Sequence, residues 1–139
     1  MVLPACLRIE IMAKVAARER VLFGARGGLA KPCRIWTGAR SKGGKRPKSG
    51  PYGSIWIPGI GGVRLHVAVA WAVGIIPEPR VPAGMNLDHR CQRTLCTEWD
   101  HYKLIPAVKN RELRWSRRRR AVHLLTAAER GAEAGEGAA

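Results

Sequence analysis

The sequence predicts a small α+β domain in which short antiparallel hairpins and helices are stapled by a bound metal ion. Three observations predict it. The chain has 139 residues, 46% of them hydrophobic, which is enough to bury a core, though a small one. Segments of helical length alternate with short β-forming runs bounded by Gly and Pro. The third is a dense Cys/His stretch, "DHRCQRTLCTEWDHYKLIPAVKN" (88–110), in a domain of a size that often gains from a metal staple.

The elements follow in order. Residues 1–11 carry little pattern and are expected to form a poorly ordered extension, with Met12 as an alternative start. "IMAKVAARERVLFG" reads as a helix that stops at Gly24. Residues 25–50 are rich in Gly, Lys and Arg, and "SKGGKRPKSG" (41–50) reads as a mobile basic loop. "YGSIWI" (52–57) alternates as a strand does, "PGIGG" turns it, and "VRL" (63–65) returns as its partner. "HVAVAWAVGII" (66–76) is apolar all round, which predicts a buried helix. "MNLDH" (85–89) and "HYKLI" (101–105) read as two short strands, and Pro106 can open the helix "AVKNRELRWSRRRRAVHLL". The domain is therefore expected over 12–120, and 121–139, ending in "GAEAGEGAA", as a largely disordered tail.

Charge narrows the class of partner. Lys and Arg number 25 against 10 Asp and Glu, a formal net charge of +15. Between Arg20 and Pro77 there is no acidic residue. A second basic block, Lys103 to Arg120, contains only Glu112 against it. Clustered charge of one sign destabilises a compact fold unless something uses it, and a polyanion whose counterions are released is the economical user. No apolar run approaches the ~20 residues of a membrane span. Val2 to Leu7 is too short for a signal-peptide core. A cytoplasmic, reducing setting is therefore expected, where cysteines serve as ligands more often than as disulfides.

Cys91, Cys96 and His101 are spaced five apart, and Cys33 stands far upstream. Three thiolates and an imidazole suit a closed, structural Zn²⁺ site, which would tie the two halves of the chain together. His89 lies two residues before Cys91, and Asn110 lies near the start of the last helix. Two strands and a helix would bring this imidazole and amide together beside the metal-held loop. Phosphodiester hydrolysis can use such a pair: a histidine to take a proton from water, and an amide oxygen to hold Mg²⁺.

The same residues resemble the ββα-metal, or His-Me finger, nucleases. Within them the chain is most similar to the His-Cys box homing endonucleases and the small HNH endonucleases of phages and prophages. The resemblance runs over roughly 12–115 and rests on an ordered set: "CRIWTGAR", "YGSIWI", "GGVRLHVAVAWAVGIIPE", "NLDHRC", the second Cys, the following His, and an Asn nine residues on. It implies a ββα-metal motif stapled by zinc on Cys33, Cys91, Cys96 and His101. It further implies His89 as general base, Asn110 as ligand of a catalytic Mg²⁺ or other divalent ion, and Arg64 on the scissile phosphate. The implied substrate is double-stranded DNA in a bacterial or phage-infected cell, with no membrane association. Arg40, Lys42, Lys45, Arg46 and Lys48, with Arg114, Arg117 and Arg118, are the expected phosphate contacts.

Alternatives stay open at this point. Asp88 and His101 would hold the Mg²⁺ if the chain followed other HNH branches. Glu98-Trp99 stands where the family carries Asn-Pro, which lends slight support to the rival reading of a non-catalytic, zinc-stapled DNA-binding module, while the presence of both His89 and Asn110 opposes it. A homodimer is left open, although no Cys follows Cys96 to build the second Cys/His cluster of the His-Cys box enzymes. His66 is expected to be a satisfied structural histidine, and Trp36, Trp56 and Trp71 to fill the core, with Trp115 also packed. Cys6 receives no role.

Overall fold

The structure is a computed structural model that describes residues 4–22, 28–41 and 51–135. The described residues form a small α+β fold of three helices and three two-stranded antiparallel pairs. The chain divides into two compact units, Met1–Ile105 and Pro106–Ala139. Among the described residues no helix is long and apolar enough to cross a membrane.

The first unit opens on helix α1, Ala5–Ala16. Leu7, Ile11 and Val15 recur at i, i+4 and i+8, and Ile11 and Val15 are buried against helix α2. This corrects two expectations. The helix begins well before Met12, inside the stretch expected to be poorly ordered, and it ends before Arg20. Residues Glu19–Leu22 instead form strand β1, antiparallel to β2, Cys33–Trp36, with Glu19 opposite Trp36 and Leu22 opposite Cys33. Side-chain bonds anchor that departure: Glu19 accepts from Arg34 at 2.7 Å and from Thr97 Oγ1 at 2.6 Å.

Strands β3, Ser54–Ile57, and β4, Gly61–Arg64, form the predicted hairpin. The turn closes with Ile60 N–H donating to the Ile57 carbonyl, Pro58 first and Gly59 second at φ +76°. That is type II geometry, in which only glycine takes the positive φ without strain. Ile55, Ile57 and Val63 face the core, so Trp56 faces out and is 70% exposed. The expectation of a core Trp56 is thus corrected by strand alternation, while Trp36 and Trp71 are buried as expected.

Helix α2, Leu65–Ala72, is buried along its whole length. It stops four residues short of the expected end because Gly74, at φ +84°, caps it. Gly74 N–H donates to the Trp71 carbonyl and Ile75 N–H to the Ala70 carbonyl, the paired bonds of a Schellman ending. Arg8 Nε adds a bond to the Ala72 carbonyl at 2.6 Å, placing a cation at the helix C-terminus.

Gly53 is a contact point between hairpin, helix and Trp36. A Cβ there would lie 2.7 Å from Leu65 Cδ2 and 2.8 Å from Trp36 Cδ1, both on buried side chains. Gly53→Ala is expected to cost roughly 1–3 kcal/mol through overpacking, read as a lower urea midpoint at unchanged slope. An unchanged midpoint would show that the two side chains yield freely.

Strand β5, Met85–His89, pairs with β6, Tyr102–Pro106; between them lie a loop and a 3₁₀ turn, Trp99–His101. The second unit is essentially helix α3, Ala107–Gly135, 29 residues long. The helix runs on past residue 120, where the domain is expected to end, and through 121–135 of the expected tail. Seven of residues 121–130 are Ala, Leu, Glu or Arg, all good helix formers, and the glycines begin only at 131. Trp115 is 57% exposed, not packed. Arg118 lies over its ring at 5.8 Å.

Candidate metal centre and histidine site

Three separate pieces of chain supply the centre. Cys33 opens β2, Cys91 and Cys96 sit in the loop after β5, and His101 ends the 3₁₀ turn. Backbone bonds set the loop's path. Thr97 N–H donates to the Arg34 carbonyl at 2.7 Å, Trp36 N–H to Leu95 at 2.9 Å, and Arg90 N–H to His101 at 2.8 Å. The loop therefore runs along β2, with Cys96 bridged to Ile35, and turns through Gln92 at φ +59°.

The ligand atoms of Cys33, Cys91, Cys96 and His101 all lie within 4.8 Å of one another, and all four residues are buried. His101 Nδ1 is 3.4 Å from Cys96 Sγ and 3.7 Å from Cys33 Sγ. Tetrahedral Zn²⁺ with Zn–S near 2.3 Å has ligand separations of about 3.5–3.8 Å, so these spacings suit it. His101 Nε2–H donates to the Lys31 carbonyl at 3.0 Å, which fixes the tautomer and turns the Nδ1 lone pair toward the thiols. The donor set and its outer bond thus fit a metal such as zinc. The thiols respond to their crowding. Cys91 is held well below the ordinary thiol range, first because the Cys96 thiol donates to it. The same bond pushes Cys96 up, and burial raises Cys33. A bound divalent cation would take all three as thiolates.

Glu98 and Trp99 have defined work beside this centre. The Glu98 carbonyl accepts His101 N–H at 3.0 Å and so holds the 3₁₀ turn that presents the imidazole. Its buried carboxylate pairs with Arg34 at 3.4 Å and lies 4.0 Å from Lys31, while Lys31 also pairs with Asp100 and lies over the Trp99 ring. Loop shape is set here by ion pairs.

A row of rings runs beside the centre. Arg64 lies 5.3 Å above Tyr52, Tyr52 is 5.3 Å from His66, His66 is 5.1 Å from His89, and His89 is 4.9 Å from Tyr102. His66 and His89 are 7% and 8% exposed. His66 Nδ1 and His89 Nε2 are both buried without a hydrogen-bond partner. The expectation of a satisfied His66 is therefore corrected. Sequence reasoning missed this row, although Tyr52 and His66 flank the predicted hairpin. His89 also bonds the Cys96 carbonyl, which must be through Nδ1–H because Nε2 has no partner. The Tyr102 hydroxyl donates to that same carbonyl at 2.5 Å. Burial lowers the pKa of His89, against the opposing pull of Cys91 and Asp88.

Burial also holds His66 down at about 3, with the charges of His89 and Arg64 adding to it. The unfolded chain then binds more protons between pH 6.5 and 3, so this contribution to stability is full above 6.5 and is lost as pH falls toward 3. Comparing pH 7 with pH 4, wild type is expected to lose about 3 kcal/mol that His66→Phe does not lose. A stability gap between the two proteins that is constant with pH would show that His66 protonates freely in the fold.

The other predicted residues fall as follows. Asp88 is buried but lies outside the gathered ligand set, and His101 is inside it. Arg64 is exposed at the end of β4, and Arg40 is exposed and bridged to Gly53. Lys42, Lys45, Arg46 and Lys48 lie outside the described residues. Asn110 is in the first turn of α3, and Arg114 and Arg118 are exposed further along it, with Arg117 half-buried. Comparison with protein-family models, with curated proteins and with solved structures found no match.

Proposed function

We propose that the protein is a metal-dependent DNA endonuclease of the His-Me finger type, with zinc in the Cys33/Cys91/Cys96/His101 centre and His89 as general base. The observation that carries this reading is the unpartnered Nε2 of a buried imidazole two residues from a metal ligand. A polar atom kept dry and unpaired is costly, and such atoms collect where a reacting group must be met. The chain order β5, β6, α3, with His89 on the first and Asn110 on the last, supports it.

In this reading the Nδ1–H bond to the Cys96 carbonyl aims the ring and leaves the lone pair on Nε2. That nitrogen takes a proton from the attacking water as the new P–O bond forms and the bond to the 3′ oxygen breaks. The products are a 5′ phosphate and a 3′ hydroxyl, the leaving oxygen being protonated by solvent. Arg64 stabilises charge developing on the phosphate oxygens. Among the described residues only the Cys₃His group gathers three or more metal-ligating side chains. Asn110 would be the residue offering an amide oxygen to a Mg²⁺, which when bound would supply Lewis-acid stabilisation. Arg40 in the first unit and, separately, Arg114, Arg117 and Arg118 on α3 supply cations for the backbone phosphates.

The test is conversion of supercoiled plasmid to nicked or linear DNA in the presence of Mg²⁺ and its arrest by EDTA. Plasmid that is bound but left intact under all divalent ions would overturn the enzyme and leave a DNA-binding module.

A further inference from the structure

The hairpin places a side chain where neither the core nor the proposed chemistry uses it. Trp56 lies opposite Gly62 in the β3–β4 register. Its ring atoms come within 3.8 Å of the Cβ position of Gly61 and 4.0 Å of that of Gly62. The indole is therefore laid across two residues with no side chains, one face on backbone and the other toward solvent. It is 70% exposed, the joint highest exposure of any large hydrophobic residue described. Ser54 faces Arg64 across the same ribbon, and alternation puts Arg64 on the side of the sheet that carries Trp56. Among the described residues Arg64 makes no ion pair, and its guanidinium lies over Tyr52. Residues 51–64 contain no Asp or Glu.

A protein partner would want apolar area, and this face offers one ring amid Ser, Gly and Arg, with Ile60 at the turn. A flat, uncharged aromatic ligand carrying a negative charge one step away fits it better. We propose that Trp56 is a stacking platform for an unpaired nucleobase, with Arg64 on the adjoining phosphate, and that the protein prefers DNA with single-stranded character to relaxed duplex. Every base has a π face, so such a platform tolerates sequence while refusing a base that is stacked within a helix. The inference rests on the nucleic-acid reading above and specifies its substrate.

The experiment measures binding of the full chain to a dT oligonucleotide and to a blunt duplex of equal length, at two salt concentrations. The proteins are wild type, Trp56→Ala and Trp56→Phe, each checked by circular dichroism for folding. Trp56→Ala is expected to weaken oligonucleotide binding about 10- to 100-fold, with the salt dependence unchanged. Its duplex affinity should move less than about threefold, and Trp56→Phe should recover most of the loss because it restores the π face. Loss of both ligands alike, or of neither, overturns the platform while leaving a DNA-binding protein. Wild type that binds neither ligand overturns the platform and the nucleic-acid reading together. Wild-type preference for duplex overturns the substrate assignment even if Trp56 contributes.

Discussion

Stripping the metal from the Cys33/Cys91/Cys96/His101 centre, or replacing one ligand by Cys91→Ser, is expected to unfold the body formed by residues 4–105. The three cysteines form an apolar cluster apart from the main core, joined among the described residues by half-buried Leu29 and Ile35. That satellite is too small to hold its loop by burial alone. The ligands span up to 68 residues of chain, so an ion closing them constrains a long loop. Structural zinc binding is worth about 10–16 kcal/mol in small domains, and whole domains are stable by only about 5–15. Without the ion the fold also keeps buried thiols beside one another, one of them drawn toward the thiolate form. Metal analysis should give one zinc per chain, and melting with a chelator should show loss of the cooperative transition. The exposed Cys6→Ser variant should behave as wild type. A melting curve indifferent to chelation would mean that the cluster is a packed thiol core with no ion.

His89→Ala is expected to lower the rate of plasmid cleavage by about 10²–10⁴-fold while DNA affinity stays within about threefold. The reason for the split is position. The ring is 8% exposed and packed edge-on between His66 and Tyr102, so it adds little to an electrostatic grip on phosphates. Its Nε2 is the unpartnered one of the two ring nitrogens. The melting temperature of the variant is needed alongside, because removing the ring leaves a gap beside Tyr102. Cleavage that survives the substitution would remove His89 from the reaction.

Much of the site was legible and some of the fold was not, for identifiable reasons. Cys33, Cys91, Cys96 and His101 could be grouped because donor type and count restrict a closed zinc shell, and the structure gathers those four side chains. Strands β3, β5 and β6 were legible from β-branched and aromatic runs between turn residues. Leu7, Ile11 and Val15 carry the four-residue spacing of α1, and a helix begun at Ile11 leaves Leu7 out. Residues 19–22 carry an equally good helix pattern; pairing with β2 and the bonds to Glu19 override it, and such long-range terms are invisible locally. Trp56 was legible in principle, because Ile55 and Ile57 cannot face inward unless it faces outward. The unpartnered nitrogens of His66 and His89 were not, since a missing partner is a property of the surroundings and not of the residue.

The Cys96 carbonyl receives both the Tyr102 hydroxyl and the His89 ring. A residue whose side chain belongs to the ion thus uses its main chain to orient the imidazole. Under the proposed reading, filling the buried centre and aiming the proton acceptor would be one mechanical event, and the ion would act on the cleavage chemistry without touching the substrate.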